Sequence, residues 1–566
     1  MTNLDTITIK KLDLTEVKSE LQELFNILKS SNNYLDFKKT LSDLYHLIAK
    51  IQSNSSFAGY KFYGNTSSAE WKELNDYYTE LWSKLSGELS EIEKFIGNSQ
   101  FLDNIKDDFG WNKYSEYKNA TFTINENAQN LMQKESKISD EIMAFKAQAK
   151  VEWNGAEIPF SKLNIYSIDS DRAVRKKALD TQSEFYLKNE SFFNEKLISI
   201  VNIRNEFARE LGFKNYVEYS LIKWNRIGYN YQDLKVYRDF VSKYFREVFL
   251  KINEFKKSSL SLEKITYYDT ILFQDGLAKL TTPDSKNSID KFNTLLGKLN
   301  PKWQEVYQSM LTNHSIDYES RQDKAEIGFA NYIHEYKTPI IYSVFHNISN
   351  DIRVLTHEFG HALQFHTSWS NDADSLLSSF TLDTIEIFSH SMEMFCFPYI
   401  DEFFGKDAYK YKIEDFLSHL RIINSTCQGD EFQEIIYSQE NLTAEFIEKT
   451  YQELGKKYLG NYTDVSENEF FGNGKNWKSI DHFFHSPFYL IDYSLAAINA
   501  LNLYSIYQSD AEKAMHIWEI LAQNIKNLNY QNIKKIAPEA VNPFVENEIK
   551  QVAEFAFKEL EELFKA

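Results

Sequence analysis

The sequence predicts a mainly α-helical protein built from more than one part. It has 18 glycines and 8 prolines in 566 residues, under half of the roughly 12% that average usage gives, and so few chain breakers favour long helices. From Leu14 to Lys150 apolar residues return every three or four positions, which is the helical period. The length also exceeds the roughly 250–300 residues at which a single hydrophobic core stops growing.

The amino-terminal helices come first, and a hairpin follows them. The run LTEVKSELQELFNILKS shows the helical pattern, and we predict that its helix starts at Thr15 with a glutamate close by. The pattern breaks at 151–160, where Asn154 and Gly155 lie between short apolar runs. Asn-Gly in this setting is a strong hairpin signal.

Helical periodicity resumes at Asp171 and dominates to about Lys264. We place a domain boundary near residue 190. It divides the chain into a helical amino-terminal domain, 1–190, that contains the hairpin, and a second domain, 191–566. No internal repeat or low-complexity linker separates the two.

Between Ile316 and Ile348 the pattern becomes β-rich. The short runs GFANYI and PIIYSVFHNI, which HEYKT separates, predict a small sheet or hairpin. A helix capped by Asn350 or Asp351 then runs through IRVLTHEFGHALQFHTSW. After a turn-like SNDAD, a second helix is predicted from Ser375 to Phe397.

Charge and cysteine content narrow the function classes. A net charge of −19 argues against nucleic acid and anionic membrane as partners, because both need a positive face. Two cysteines, Cys396 and Cys427, cannot build a disulfide framework for a chain of this size. We find no apolar leader and no run of 18 apolar residues. We therefore expect a cytoplasmic protein.

The strongest chemical signal is His357-Glu358-Phe359-Gly360-His361. Seven of the 12 histidines fall between His314 and His390. On a helix the spacing of four places both imidazoles of the motif on one face, where they can hold one Zn²⁺. Glu358 lies beside them and is suited to take a proton from a metal-bound water. The apolar stripe of this helix lies on another side.

A catalytic zinc site needs a third protein ligand and leaves its fourth position to water. Glu386 is the best candidate, because it is a carboxylate with apolar flanks on the second helix. His390 and Glu393 lie near it on the same, more polar stripe. Ser389, His390 or Glu393 could hydrogen-bond the outer nitrogen of a zinc-bound histidine.

These residues resemble a known family. LTHEFGHALQFH, with a glutamate 25 residues after its second histidine in IEIFSHSME, resembles the thimet oligopeptidase and oligoendopeptidase F family of zinc metallopeptidases. The upstream segment DKAEIGFANYIHEYKTPIIYSVFHNISND is similar to its collagen-peptide-cleaving oligoendopeptidases. SIDSDRAVRKKA, RNEFARELGFKNYVEY and IDHFFHSPFYLIDYSLA are also similar to the family. The resemblance covers roughly residues 150 to 500.

The resemblance implies a two-part helical ellipsoid with a deep central channel, zinc at its floor and a small β-sheet beside the HExxH helix. The second domain, 191–566, would be catalytic, and short peptides would enter while folded proteins are excluded. Carried over residue by residue, His357, His361 and Glu386 are the ligands of a single zinc ion. Glu358 is the general base.

Further residues take roles from the same resemblance. Tyr489 and Tyr493 match tyrosines that contact substrate or stabilise the tetrahedral intermediate. His482 and His485 both fall near the family's substrate-binding histidine, and the sequence does not distinguish them. The family's substrate-pairing strand, Gly328 to Ile333, supplies backbone contacts from Gly328, Phe329, Ala330, Asn331 and Tyr332. Where some related zinc peptidases place an aspartate four residues after the third ligand, His390 stands here.

The expected function is endopeptidase hydrolysis of short oligopeptides. The sequence also allows two alternative functions to be weighed against this one. A catalytically silent peptide-binding protein of the same fold has no use for a base beside two zinc ligands. A helical di-iron oxidoreductase needs two Glu-x-x-His pairs, and Glu358 with His361 is the one such pair among the 12 histidines. The oligomeric state is not predicted.

Overall fold

The computed structural model describes residues 1–369 and 379–565, and helices dominate it. The predicted mainly α class is confirmed. The helices α1 to α24 are Leu14–Ser30, Tyr34–Gly64, Ala69–Gly97, Leu102–Asn119, Glu126–Gln148, Leu163–Tyr166, Arg172–Lys188, Glu190–Glu210, Tyr216–Lys223, Tyr231–Tyr244, Val248–Leu260, Ser285–Leu299, Pro301–Thr312, Ser349–Trp369, Leu382–Phe395, Asp401–Phe404, Ala408–Ser438, Ala444–Tyr458, Glu469–Gly472, His482–His485, Leu490–Ser509, Ala511–Gln523, Ile533–Ile536 and Glu546–Leu563. The strands β1 to β5 are Lys150–Trp153, Ala156–Pro159, Ile316–Asp317, Phe329–Ile333 and Thr338–Tyr342.

The chain forms two compact units, each assembled from segments far apart in sequence. The first unit combines Met1–Ile124, Lys279–Ala408 and Asn499–Ala540. The second combines Asn125–Ala278, Tyr409–Ile498 and the chain from Val541 onward. Residue 190 lies inside the second unit, and the division into 1–190 and 191–566 stays a prediction. Among the described helices, none is both long and apolar enough to cross a membrane.

The amino-terminal helices α1 to α4 build the larger described core cluster of the first unit. Leu21, Phe37 and Leu41 are examples of its fully buried side chains. Helix α1 begins at Leu14, one residue before the predicted start at Thr15. Asp13 is its cap, and the Asp13 carboxylate accepts hydrogen bonds from the amides of Thr15 and Glu16. An ionised carboxylate also interacts favourably with the positive end of the helix, which explains the difference.

The small sheet of the first unit has the order β3-β5-β4, and β4 is antiparallel to β5. Successive side chains of a strand point to opposite faces. Ile333 accordingly joins the core of the amino-terminal helices, while Tyr332 and Ala330 pack with Phe365 and Trp369 of α14. The sheet is thus held against the HExxH helix, as predicted. The rest of the second predicted β run, 343–348, is not strand.

The two helices of the expected metal centre are present. The predicted helix through the HExxH motif is confirmed as α14, which begins at Ser349. The second helix, α15, begins at Leu382 rather than at Ser375, and residues 379–381 are not helical. The predicted turn, 370–374, and the first part of the predicted second helix, 375–378, lie outside the described residues. From Asp383 to Phe395 every residue of α15 is buried.

In the second unit, β1 and β2 form the predicted hairpin. Their register pairs Trp153 with Ala156, so the loop is Asn154-Gly155. Both loop residues have positive φ, 53° and 80°, which is the conformation of a type I′ turn. Trp153 then packs into a small cluster with Leu163 and Ala178, which ties the hairpin to α6 and α7.

Candidate active site

Helix α14 presents His357 and His361 one turn apart on the same face. Their ring centroids are 5.0 Å apart and their planes are nearly perpendicular. The spacing of four residues on a continuous helix produces this arrangement. His361 is buried, with 9% of its surface exposed, and His357 is partly buried. The two imidazoles therefore face one small space.

Glu386 of α15 completes the set. Its Oε2 atom lies 3.2 Å from Nε2 of His361 and 3.4 Å from Nε2 of His357. The donor atoms of these residues, which could together hold a metal ion, all lie within 4.8 Å of one another. The structure thus brings together the three ligands predicted from the sequence. Two imidazole nitrogens and one carboxylate oxygen form the donor set of a catalytic divalent-metal site.

Gly360 allows α15 to come this close. A Cβ atom at this position would lie 2.7 Å from the carbonyl oxygen of Phe388 and 2.7 Å from Cα of Ser389. The same carbonyl accepts a hydrogen bond from Nε1 of Trp518 at 3.2 Å. Since Phe388 and Ser389 lie two and three residues after Glu386 on α15, the glycine at the crossing sets the position of the Glu386 carboxylate.

Side chains outside the donor set orient two of its members. Nδ1 of His357 is hydrogen-bonded to Oε1 of Glu393 at 2.7 Å, so its Nε2 faces Glu386. The same Glu393 oxygen lies 3.3 Å from Nδ1 of His390. The Ser389 hydroxyl donates to Oε2 of Glu386 at 2.8 Å. Of the three residues proposed to bond a histidine's outer nitrogen, Glu393 does so for His357, and Ser389 holds the carboxylate instead.

The electrostatics of the centre favour a cation. Burial by itself would raise the pKa of Glu386, but His361 and His357 hold it well below its usual range. Burial would lower the pKa of His357, yet the hydrogen bond to Glu393 and the charges of Glu386 and Glu358 raise it to about 9. Several carboxylates thus surround the two imidazoles, which is an environment in which positive charge is stabilised. The residues fit a bound divalent ion.

Glu358 lies beside the donor set. It is buried, with 9% of its surface exposed, and burial raises its pKa, while His357 and His361 oppose that rise. A Cβ atom built on Gly328 would lie 3.9 Å from Oε1 of Glu358. The backbone that leads into β4 therefore passes directly beside this carboxylate, which puts a potential peptide-binding strand next to a potential base.

Strand β4 has one unpaired edge within the described sheet. In β5 the amides of Ile341 and Ser343 donate to residues of the β3 side, so the intervening amides of β5 face β4. In the antiparallel register this alternation leaves the backbone groups of Ala330 and Tyr332 pointing away from β5. The amide of Tyr332 is hydrogen-bonded to Oδ1 of Asn331 at 2.8 Å. Ala330 is the outward-facing position next to Gly328.

The histidines and tyrosines of the carboxyl-terminal segment lie in the second unit. The rings of His482 and Tyr489 are parallel at 6.2 Å, and Tyr489 and Tyr493 are perpendicular at 5.1 Å. His482 also contacts the Tyr493 ring at 6.1 Å. His485 is exposed, and its Nδ1 lies 3.0 Å from the Ser486 hydroxyl. The structure thus distinguishes the two histidines, because His482 packs with both tyrosines.

Buried groups fix the chain just before Tyr489. Phe488 has a φ of 65°, a left-handed conformation that costs a bulky residue energy unless its surroundings hold it. Its carbonyl accepts a hydrogen bond from Arg226, which also pairs with Asp492 at 2.8 Å. Its amide donates to Oε1 of Gln433 at 3.0 Å. These contacts fix where α21 begins, and therefore where Tyr489, the residue before it, lies.

Sequence reasoning missed two of these positioning groups. In the sequence Gly360 stands out only as part of the motif, although a glycine inside a helical pattern is itself a signal of close packing. Arg226 gave no signal, because its partner Asp492 is 266 residues away in sequence.

Comparison with known proteins agrees with this geometry. Residues 165–522 match the family model "Peptidase family M3", and residues 4–124 match "Peptidase M3 N-terminal domain". Oligopeptidase PepF of Bacillus subtilis is 24% identical over 344 residues, which span 57% of this chain and 48% of that protein. The oligoendopeptidase F homolog of Borreliella burgdorferi is 22% identical over 90% of this chain and 87% of its own length.

Among solved structures, PZ peptidase A with inhibitor 2 has a TM-score of 0.91 and 24% identity, covering 99% of each chain. At that identity the likeness establishes the fold. The family match spans more than half of this chain, includes all three donor residues and agrees with the resemblance found in the sequence. The chain therefore belongs to peptidase family M3, among the oligoendopeptidase F metallopeptidases.

Proposed function

We propose that this protein is a zinc-dependent endopeptidase that hydrolyses short peptides, with one zinc ion held by His357, His361 and Glu386. The observation that carries the proposal is the convergence of Nε2 of both histidines on Oε2 of Glu386, at 3.4 and 3.2 Å. Imidazole and carboxylate ligands in a set of three are typical of catalytic zinc, which leaves a fourth position open. Glu393 fixes the orientation of His357 through the hydrogen bond to its Nδ1.

The chemistry is divided between the ion and the chain. Bound zinc would supply a Lewis acid that polarises the scissile carbonyl and makes water more acidic. Glu358 accepts the proton of the attacking water and passes it to the leaving amine. Its burial raises its pKa, which makes it a stronger base than an exposed carboxylate and brings it closer to the proton affinity that such a relay requires. The backbone beside Gly328 holds the peptide near this carboxylate.

We propose that the peptide pairs with the outer edge of β4. Gly328, Phe329, Ala330, Asn331 and Tyr332 form or precede this strand. Main-chain hydrogen bonds to the outward-facing groups give affinity for any extended peptide, without strict sequence preference. The Asn331 side chain already satisfies the amide of Tyr332, so Ala330 is the position we expect to contribute most.

We assign Tyr489, Tyr493 and His482 the role of contacting the substrate and donating to the oxyanion. The assignment rests on the family resemblance and on the packing of His482 against both tyrosines, which favours it over His485. Each such donor contributes about 2.7–4 kcal/mol in comparable sites. All the proposed catalytic residues fall within the predicted catalytic domain, 191–566. We also propose a cytoplasmic location, because the two cysteines are buried and two cysteines cannot build a disulfide framework for a chain of this size.

Replacing Glu358 by glutamine tests the proposal. The amide keeps the size of the side chain but cannot take a proton, so we expect a loss of about 10²–10⁴ in kcat on quenched fluorescent peptides. One zinc per chain should be retained, measured by metal analysis. Glu305→Gln makes the same change at an exposed position on α13 and should leave both quantities unchanged. Near-wild-type turnover of Glu358→Gln with zinc bound would overturn the assignment of the base.

A further inference from the structure

A cavity of about 300 Å³ lies inside the first unit, apart from the metal centre. It is bounded by α2, α3 and α4, by the residue after β4 and by the last residue of α14. Its apolar walls are mostly aromatic rings, contributed by Tyr45, Trp82, Trp369 and Phe380. Aromatic walls with a few polar groups are typical of ligand pockets.

Among the described residues, three charged side chains line the cavity, those of Lys113, Glu116 and Glu93. Lys113 is buried and pairs with both oxygens of Glu116, at 2.9 and 3.0 Å. Glu93 also lines the cavity and makes no hydrogen bond or ion pair within the part of the chain that the structure describes. Burial and the charge of Glu116 raise the pKa of Glu93 to about 7, although the positive charge of Lys113 opposes this rise. Burial lowers the pKa of His334 to about 4, so this imidazole is neutral.

Two buried nitrogens of the cavity's lining residues lack a partner. Trp369 is 3% exposed, and its Nε1 has no hydrogen-bond partner among the described residues. Nδ1 of His334 is in the same situation. A buried donor without an acceptor is rare in folded proteins. The walls therefore offer an indole N–H for a carbonyl oxygen and a carboxylate that has no hydrogen bond among the described residues. Lys113 already lies over the ring of Tyr45, 4.7 Å from its centroid. The rings that remain to attract a further positive charge are therefore those of Trp82, Trp369 and Phe380.

Helix α14 and strand β4 both extend from the proposed peptidase site to the cavity. Trp369 stacks on Phe365 at 5.1 Å, and Phe365 stacks on His361 at 6.3 Å, which forms a row along one face of α14. Strand β4 begins beside Glu358 and ends next to His334, whose ring lies 4.8 Å from that of Trp369. At about 3.3 Å per residue, an extended peptide along β4 spans this distance in about six residues.

We propose that this cavity is a substrate subsite that binds a cationic group of the peptide, an ammonium or guanidinium, through the Glu93 carboxylate and the aromatic walls. The inference rests on the proposed peptidase function and adds a specificity to it. The cation lies about five or six residues from the scissile bond. A nearby peptide carbonyl accepts the N–H of Trp369. The group comes from the peptide's amino terminus or from a lysine or arginine side chain at that distance.

Matched peptides test the subsite. The first peptide is acetylated and neutral, and the second has a free amino terminus. The third is acetylated and contains a lysine six residues from the scissile bond. It is made in two versions, with the lysine before or after that bond. We expect the zinc-loaded wild-type enzyme to show a kcat/KM for one cationic peptide about 10- to 100-fold above that for the neutral peptide. The version that gains identifies the source of the cation. Equal values for all peptides would overturn the proposal.

Variants distinguish an effect on the subsite from an effect on catalysis. Glu93→Gln should reduce the preference to within about twofold while cleaving the neutral peptide normally. Glu91→Gln removes an exposed charge two residues away on α3 and should keep the full preference. A preference that persists in Glu93→Gln would refute the assignment. If wild type cleaves no peptide, the proposed function fails instead, and binding of the same peptides, followed by tryptophan fluorescence, still decides whether the cavity takes the cation.

Trp369→Phe supplies a second variant in case Glu93→Gln is poorly folded, as checked by its unfolding midpoint. It keeps an aromatic ring and deletes the N–H. We expect a severalfold rise in KM for the preferred cationic peptide and little change for the neutral one. An unchanged KM for the cationic peptide would count against the hydrogen bond to the substrate carbonyl.

Discussion

Replacing Gly360 by alanine tests whether the crossing of α14 and α15 sets the metal geometry. The added methyl would lie 2.7 Å from the Phe388 carbonyl oxygen and from Cα of Ser389, whereas ordinary contact begins at 3.4 Å. Both obstacles are backbone atoms, which cannot rotate away. The helices must therefore separate by about 0.7 Å at this point, and Glu386 moves with its helix.

This displacement is large on the scale of metal coordination. Ligand distances are held to about 0.2 Å, so a shift of about 0.7 Å would weaken a bond from Glu386 to the proposed zinc ion. We expect at least a tenfold loss in zinc affinity, comparable to the loss of a partner that orients a ligand. Alanine gains about 1 kcal/mol over glycine in a helix, while overpacking costs about 1–3 kcal/mol. Fold stability should fall by about 2 kcal/mol at most.

Zinc affinity is measured by competition with a chromogenic chelator, and stability of the metal-free protein by urea unfolding. Gly455→Ala is the matched control. This glycine also lies in a helix, and its added methyl would meet only Nε2 of Gln428, at 3.6 Å, so we expect unchanged zinc affinity and slightly higher stability. Wild-type zinc affinity in Gly360→Ala would show that the close helix crossing does not position Glu386.

Three further substitutions probe other parts of the molecule. Glu393→Gln removes the charge that holds Nδ1 of His357 and should weaken zinc binding about 10-fold by the same competition assay; an unchanged affinity would contradict this role. Arg226→Ala deletes the buried cation that Asp492 faces, at 2.8 Å, and should lower the free energy of unfolding by about 3–5 kcal/mol, whereas a loss below about 1 kcal/mol would refute it. Gly155→Ala meets nothing within 4 Å, so its positive φ alone should cost about 1–2 kcal/mol in urea unfolding, with peptidase activity unchanged.

Local features with a strong physical signature were predictable from the sequence. Asn154-Gly155 specified the hairpin because two residues with positive φ suit few other pairs. The stripe of Ile352, Leu355 and Phe359 specified the helix through the HExxH motif. The same periodicity placed His357 and His361 on one face, which a helix enforces without any help from tertiary structure.

Features that depend on distant packing were not predictable in this way. Helix α15 starts at Leu382, although the apolar pattern begins at Ser375, because pattern alone does not reveal where tertiary contacts allow a helix to start. The two compact units combine segments more than a hundred residues apart, and a linear scan of periodicity carries no information about such pairing. The partnership of Arg226 with the start of α21 belongs to the same class.

The candidate site shows the same division. The apolar flanks of Glu386 and the family resemblance predicted that it would be a ligand, and the structure brings it to 3.2 Å from His361. The choice among Ser389, His390 and Glu393 stayed open in the sequence, since all lie within one turn of one another. The rotation of α15 against α14 decides that Glu393 faces Nδ1 of His357. Ser389 instead bonds Glu386, three residues before it on the same helix.

The burial of α15 links the metal supply to the lifetime of the protein. Every residue from Asp383 to Phe395 is shielded from water, yet Glu386 and Glu393 carry carboxylates in that interior. An ion that binds only the native chain stabilises it by mass action, by about 2.7 kcal/mol when its free concentration is 100 times the dissociation constant. Scarcity of the ion would then do more than slow turnover. It would enlarge the unfolded fraction on which proteases and aggregation act.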